Sequence, residues 1–151
     1  MDMSQETFIS STMWTDRLGF IAAKTTLAKI KNLRINKKIS KYGLKIKKGW
    51  SKLAKKNNIN IIISGIDSIP SFKFDHSDNL KLSTFFIQEM LKLGYLANNS
   101  LATSYAYNDK IINNYLKQVD KVFKKIKNQL ALNKLKLDGK VKHSTFQRIT
   151  G

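Results

Sequence analysis

The sequence predicts an α+β domain in which long helices pack on a small, largely antiparallel sheet. Several segments carry apolar residues at helical spacing, and between two of them lies INIIISGI, a short β-branched run that is typical of a strand. At 151 residues the chain is long enough for one domain with a proper core. We therefore expect helices packed against two short strands.

Two amphipathic helices are predicted in the first third of the chain. Thr15 or Asp16 can cap the first helix by accepting a hydrogen bond from a free amide of its first turn, and this helix is expected to end near Lys31. The second helix follows a break at 32–36 and is expected to end near Asn57. Its apolar stripe consists of Ile39, Gly43, Ile46, Trp50 and Leu53.

The middle of the chain predicts two neighbouring strands and a third helix. The first strand lies within 59–66, and in the second strand Phe72 and Phe74 alternate with charged residues. The third helix is expected over 83–93, where apolar residues recur at helical spacing. Gly94 supplies the left-handed residue that often closes a helix.

The last third predicts one long helix between irregular segments. Residues 95–97 are expected to form a short strand, followed by a polar, irregular connection over 98–108. Asp109 is expected to cap the long helix, which has an extended apolar stripe. The tail from Gly139 is expected to add a last segment around Phe146.

Composition and spacing exclude several classes of function. The chain has no cysteine, which excludes disulfides, thiolate metal sites and a cysteine nucleophile and favours a reducing cytoplasm. Neither His76 nor His143 lies in a cluster with metal-ligand spacing, so we assign no metal. The longest apolar runs, such as 18–23, fall far short of a membrane span. A soluble, cytoplasmic protein is expected.

The charge of the chain is strongly basic, with a formal net charge of +18. Because 25 of its 28 basic residues are lysine, and arginine is the residue that reads guanine edges, sequence-specific readout of nucleic acid is not expected. A genome rich in A and T encodes lysine frequently at surface positions that tolerate many residues. This bias alone can explain the positive charge, without any function in ligand binding. The alternative is that the lysine face of residues 24–56 binds RNA or another polyanion.

The stretch FISSTMWTDRLGFIAAKTTLAKI, residues 8–30, resembles a segment of class-III pyridoxal-phosphate aminotransferases of the glutamate-1-semialdehyde aminotransferase-like branch. In that family the segment leads into the small C-terminal domain and combines a serine-threonine run, a tryptophan and an arginine before an alanine-rich helix. The resemblance covers nearly the whole chain. Further matching positions are Gly49, Leu53, Gly65, the segment 85–97, Ser104, Ala106, Phe146 and Arg148.

The resemblance implies a fold type I homodimer, of the wider α/β family, in which pyridoxal phosphate lies between the large domain of one subunit and a loop of the other. It implies that residues 1–34 form the cofactor-loop segment and interdomain entry helix, and that 35–151 form the small C-terminal domain. It also implies that Thr12 reaches the coenzyme phosphate of the neighbouring subunit, with Ser11 as a second contact. Hydroxyls beside a helix start suit an anion, although serine and threonine also favour such positions without any ligand.

The resemblance places no catalytic residue in this chain. The family's Schiff-base lysine, its aspartate partner to the pyridine nitrogen and its glycine-rich phosphate turn belong to a large domain that would precede Met1. We therefore expect the C-terminal part of an aminotransferase or aminomutase, inactive alone, whose complete form acts on an amine or amino acid and an aldehyde or keto acid. Whether Met1 is the true start stays open.

Two other interpretations remain at this point. One is the stand-alone polyanion-binding module, although nucleic acid is not the first choice of partner. The other is a non-catalytic protein that pairs with an intact aminotransferase through a partly apolar surface. Where many relatives have histidine and threonine before the penultimate helix, this chain has Tyr107 and Asn108, which leaves the substrate open.

Overall fold

The computed structural model describes residues 16–132 and 134–144, and it confirms an α+β fold of helices packed on a small antiparallel sheet. The chain divides into two compact units, residues 1–36 and 37–151. Among the described residues, no helix is both long enough and apolar enough to cross a membrane. The elements are α1 (Arg17–Asn32), α2 (Ile35–Lys56), β1 (Ile61–Ser64), β2 (Ser71–Phe74), α3 (Asn79–Lys92) and α4 (Asp109–Ala131).

Helix α1 begins where the sequence predicts. The Oδ1 atom of Asp16 accepts a hydrogen bond from the amide of Leu18 at 3.0 Å, so Asp16 is the cap. No residue of α1 is buried, and its exposed apolar side chains lie on two different faces of the helix. Phe20 and Leu27 share one face at helical spacing, whereas Leu18 and Ile21 lie on the opposite face. A helix that is apolar on opposite faces is typical of one that packs against more than one surface.

The two strands form an antiparallel hairpin, as predicted. Ile61 pairs with Phe74 at one end of the hairpin, and Ser64 pairs with Ser71 at the other. Because side chains alternate along a strand, Phe72 and Phe74 both face the core, whereas Ile62 on the opposite face is 52% exposed.

The core is centred on the ring of Phe72. This ring makes edge-to-face contacts with Trp50 of α2, Phe86 of α3 and Phe123 of α4, with centroid separations of 4.9, 5.3 and 6.1 Å. Phe74 lies 5.4 Å away in the same strand. One side chain therefore contacts all three helices of the second unit. The other buried residues of the core are Ile46, Ala54, Ile59, Leu82, Phe85, Met90, Ile112, Tyr115, Val119, Val122 and Ile126.

The expectation of a short strand at 95–97 is wrong. The amide of Tyr95 donates back to the carbonyl of Met90, at 3.0 Å, after Gly94 has closed α3 with the predicted positive φ, +82°. The segment that contacts the free edge of β2 comes later in the chain. The amide of Phe72 donates to the carbonyl of Asn99 at 2.9 Å, and Ser100 forms a single bridge with Ser71.

Two helix starts also differ from the sequence prediction. Helix α3 begins at Asn79 rather than near Ser83, and Ser83 is a buried residue in the interior of the helix. Helix α4 is capped by Asn108 rather than Asp109: Asn108 has extended backbone angles, and its side chain accepts a hydrogen bond from the amide of Ile111 at 2.9 Å.

The tail runs along α3 without regular structure. The amide of Asp138 donates to the side chain of Gln88 at 2.9 Å, and the amide of Lys142 donates to the hydroxyl of Thr84 at 3.0 Å. Because Gln88 and Thr84 lie one turn apart in α3, the tail is held along that helix in the opposite direction. The segment expected around Phe146 lies outside the described residues.

We expect Phe72→Ala to lower the free energy of unfolding by about 3–5 kcal/mol, because it removes a buried ring that three helices share. Ile62→Ala is the matched control on the exposed face of the same hairpin, and its cost should stay below about 1 kcal/mol. Urea denaturation of both variants provides the measurement. Equal losses would show that Phe72 is not the centre of the core.

Candidate functional site

The two site residues predicted from the sequence, Thr12 and Ser11, lie outside the described residues, so their contact with a phosphate stays a prediction. The nearest described feature is the start of α1. There the carboxylate of Asp16 accepts the hydrogen bond of the Leu18 amide. A phosphate at the same amides would meet the negative charge of Asp16, so the described part of this helix start is not by itself an anion site.

An apolar cavity of about 130 Å³ lies within the second unit. It is lined by Ile46, Tyr95, Leu96, Ala97, Leu101, Tyr107, Ile111, Ile112 and Tyr115. A neighbouring depression of about 250 Å³ shares Tyr95, Leu96 and Ala97 and adds Ile87 and Leu91.

These two hollows form one continuous surface, which we call the Leu96 surface: Ile87, Leu91, Tyr95, Leu96, Ala97, Tyr107 and Ile111. The side chain of Leu96 is 98% exposed at its centre, and Leu91 and Ile111 beside it are also exposed. The residue that sequence analysis placed in a strand is therefore the most exposed apolar side chain of this surface. Leu96 reaches this surface because Gly94 ends α3 and the loop after it turns away from the helix.

The polar side chains in the described lining of the cavity are three tyrosine phenols, with no carboxylate, histidine or amine. Burial raises the pKa of the Tyr115 phenol above its ordinary value, and its hydrogen bond from the indole of Trp50, at 3.1 Å, lowers the pKa by less. Tyr115 therefore stays protonated at neutral pH and joins α4 to α2. The described lining can bind an apolar group, and the Tyr115 phenol does not act as a base there at neutral pH.

The one buried carboxylate of the described residues is occupied by ion pairs. The two oxygens of Glu89 accept from Lys92 at 2.8 Å and from Lys125 at 2.6 Å. Burial alone would raise the pKa of Glu89, but the hydrogen bonds and charges of the two lysines outweigh it, so the pKa is lowered. Lys92 also pairs with Asp138 at 2.7 Å. This cluster joins α3, α4 and the tail and leaves no free base.

Lys142 is a lysine whose pKa is shifted by partial burial. Partial burial lowers the pKa of its amine, and the amine lies 3.4 Å from the side-chain oxygen of Asn99. The buried amide nitrogen of Asn99 has no hydrogen-bond partner among the described residues. No carboxylate or second base accompanies Lys142 in these contacts, so this pair alone provides no proton relay. Within 16–132 and 134–144, no three acidic or histidine side chains are grouped to hold a metal ion.

The described residues also do not assemble a pocket suited to pyridoxal phosphate. The apolar cavity has no charged residue in its lining to hold a phosphate, and the capped start of α1 presents a carboxylate. A coenzyme site would need residues beyond those described here, including the segment that contains Thr12.

Comparison with known proteins identifies the fold. No family model matches the sequence, and no curated protein matches it significantly. The chain is similar to a solved structure of the FumI protein of Sphingopyxis sp. MTA144 in its pyridoxal-phosphate internal aldimine form, with a TM-score of 0.75 and 17% sequence identity. The match covers 86% of this chain but only 32% of the FumI chain. The chain therefore has the fold of about a third of a pyridoxal-phosphate protein.

We expect Glu89→Gln to lower the free energy of unfolding at pH 7 by about 1–3 kcal/mol, because the neutral amide leaves two lysine amines without their carboxylate. Since folding lowers the pKa of Glu89 below its ordinary value of 4.5, this stabilisation is complete above that value and is lost as the pH falls through the folded-state pKa. Urea denaturation of both proteins between pH 7 and about pH 3 measures the difference.

Asp138→Asn is the control for that experiment. Asp138 also pairs with Lys92, but its side chain is 63% exposed, so its removal should have a small and salt-sensitive effect. A difference between wild type and Glu89→Gln that stays constant with pH would show that Glu89 contributes by packing and not by charge.

Proposed function

We propose that this chain is the small C-terminal domain of a class-III pyridoxal-phosphate aminotransferase or aminomutase and acts together with a larger coenzyme-binding domain. The observation that carries the proposal is the fold likeness, which covers most of this chain and about a third of a pyridoxal-phosphate protein. The resemblance of residues 8–30 to the class-III segment supports the finer assignment. The complete enzyme would be a cytoplasmic homodimer.

The exposed apolar surfaces support docking to a larger domain. Leu96 is almost fully exposed at the centre of the Leu96 surface, and α1 has no buried residue although it carries apolar side chains on opposite faces. Contiguous apolar patches of this kind mark surfaces that another protein surface covers. Each unit of the chain therefore presents apolar surface that is suited to an interface.

The chain's own residues would position the coenzyme and would not carry out the chemistry. Pyridoxal phosphate supplies the electron sink for amino-group transfer in the complete enzyme. The hydroxyl of Thr12 would donate a hydrogen bond to the coenzyme phosphate of the neighbouring subunit, with Ser11 beside it. The substrates would be an amine or amino acid and an aldehyde or keto acid, or a single compound in an internal aminomutase reaction. The proton-transferring lysine would come from the larger domain.

The first test is to translate the DNA upstream of the Met1 codon in frame and to purify the complete protein. We expect the translation to continue into a domain with a strand that ends in a lysine and with a glycine-rich turn. The purified protein should bind about one pyridoxal phosphate per subunit and transfer amino groups. A stop codon directly before Met1, in a genome that encodes no separate partner with those features, would overturn the proposal.

In that complete protein we expect Thr12→Val to raise the Kd for pyridoxal phosphate by about 10- to 100-fold, because it removes one hydrogen bond to a charged group. Binding of pyridoxal, which lacks the phosphate, should not change, and equilibrium dialysis measures both. The matched control is Thr25→Val, since the Thr25 hydroxyl is already used within α1, donating to the carbonyl of Ile21 at 2.8 Å. An equal loss for both ligands would mean that Thr12 has only a structural role.

We also expect Leu96→Asn to destabilise the complete protein but not the 151-residue chain, in which Leu96 is already exposed to solvent. Burying one leucine at an interface contributes about 1.5–3 kcal/mol. Thermal unfolding of both forms, each with and without the substitution, makes the comparison. If Leu96→Asn leaves the complete protein unchanged, the Leu96 surface is not the docking surface.

A further inference from the structure

Helices α2 and α4 lie side by side and point in the same direction. Two ion pairs join them, from Lys45 to Asp109 at 2.6 Å and from Lys56 to Asp120 at 2.7 Å. Both pairs join residues 64 positions apart, so the two helices advance in parallel. Gly49 permits their close approach, since a Cβ atom there would lie 2.6 Å from the side chain of Leu116. These contacts, together with the hydrogen bond from Trp50 to Tyr115, place the two helices side by side.

The ion pairs between the helices use every carboxylate that the two helices carry. Helix α2 contains nine lysines and no acidic residue, and α4 contains six lysines and two aspartates. Those aspartates, Asp109 and Asp120, pair with Lys45 and Lys56. Lys47 and Lys125 pair with acidic residues of other segments, Asp67 and Glu89. Most of the positive charge of the helix pair therefore remains available to an external anion.

The available lysines lie along both sides of a groove. Lys52 of α2 and Lys117 of α4 line a groove of about 360 Å³, whose lining also includes Gly49, Leu116 and the ion pair of Lys56 with Asp120. We define the α2–α4 basic face by six exposed lysines at helical spacing: Lys41, Lys48, Lys52, Lys117, Lys121 and Lys124.

We propose that the α2–α4 basic face binds the phosphate backbone of double-stranded nucleic acid. The row from Lys41 to Lys52 spans roughly 17 Å at the helical rise, a length over which one strand of a duplex presents about five phosphates. Lysine amines contact phosphates as point charges and do not form the bidentate contacts that read bases. Binding is therefore independent of base sequence and strongly dependent on salt.

Two observations select a duplex over other polyanions. The aromatic residues nearest the helix contact, Trp50 and Tyr115, are buried, and Tyr42 of α2 is partly buried with the amine of Lys38 over its ring, so none of the three offers an open platform for unpaired bases. Among the described residues of α2, Leu44 is the large apolar side chain that remains exposed, at 42%, which is too little to anchor a helix in a bilayer. A surface of six exposed lysines, on which the carboxylate of Asp120 is already paired with Lys56, suits a regular array of phosphates.

The structure also changes where the basic surface lies. The alternative interpretation of the sequence places a lysine face at residues 24–56, which would combine α1 with α2. Residues 24–31 belong to the other compact unit, whereas α4, far along the chain, lies beside α2 and adds its lysines. This proposal does not depend on the aminotransferase assignment, because it uses neither Thr12 nor the Leu96 surface.

The test uses the 151-residue chain and fluorescence anisotropy with a labelled RNA duplex and a DNA duplex of about 20 base pairs, in a series of salt concentrations. We compare the fourfold variant K48Q/K52Q/K117Q/K121Q with the control variant K24Q/K73Q/K134Q/K140Q, which loses the same charge from exposed lysines elsewhere. The first variant should weaken binding by about 10-fold or more at about 0.1 M salt and lower the salt slope by about 3 to 4. The control should stay within about 3-fold of wild type.

The outcomes separate the possible ligands. Equal binding of RNA and DNA means that phosphates alone are recognised, and tighter binding of RNA means that the 2′-hydroxyl adds contacts; both support the proposal. Equal loss of binding in the two variants would overturn it in favour of diffuse charge. Binding to vesicles with anionic lipids but to neither duplex, or binding to neither, would also overturn it. Circular dichroism should show that both variants fold, since all eight lysines are exposed.

Discussion

The arrangement of this fold depends on the edge-to-face packing of a single ring, that of Phe72. A ring in this geometry places its positive edge against the negative face of a neighbour, and Phe72 meets rings from α2, α3 and α4 in this way. The register of the hairpin determines that Phe72 and Phe74 face the same side. A slip of one residue would turn both rings to solvent and remove the contact that the helices share.

Local patterns in the sequence were sufficient for the elements that pack on this ring. The stripe that includes Ile46 and Trp50 predicted α2, and the alternation of Phe72 and Phe74 predicted β2, because amphipathic periodicity records which side of an element is buried. The details that failed depend on contacts distant in sequence. Residues 95–97 have strand-like composition, but the backbone that reaches the edge of β2 comes from Asn99 and Ser100.

The same distinction applies to the functional surfaces. The segment with Thr12 could be singled out because its residue types are rare in combination, which needs no knowledge of the fold. The Leu96 surface could not be predicted, since Leu96 and Ile111 become neighbours only through the tertiary structure. The ion pairs of Glu89 with Lys92 and Lys125 likewise join α3 to α4. Lysine content indicated a basic protein, but only the packing of α4 beside α2 shows where the charge is concentrated.

The parallel pairing of α2 and α4 has a consequence for the time course of synthesis. The partners of Lys45 and Lys56 are both 64 residues further along the chain. Until the ribosome has released α4, α2 is a helix of nine lysines without a single carboxylate, in which like charges one turn apart repel one another. Closing so long a loop also has an entropic cost, and contacts between distant residues form slowly. The core can therefore be completed only after α4 has emerged, and until then the faces of Phe72 and Phe86 that pack on Phe123 have no partner from that helix.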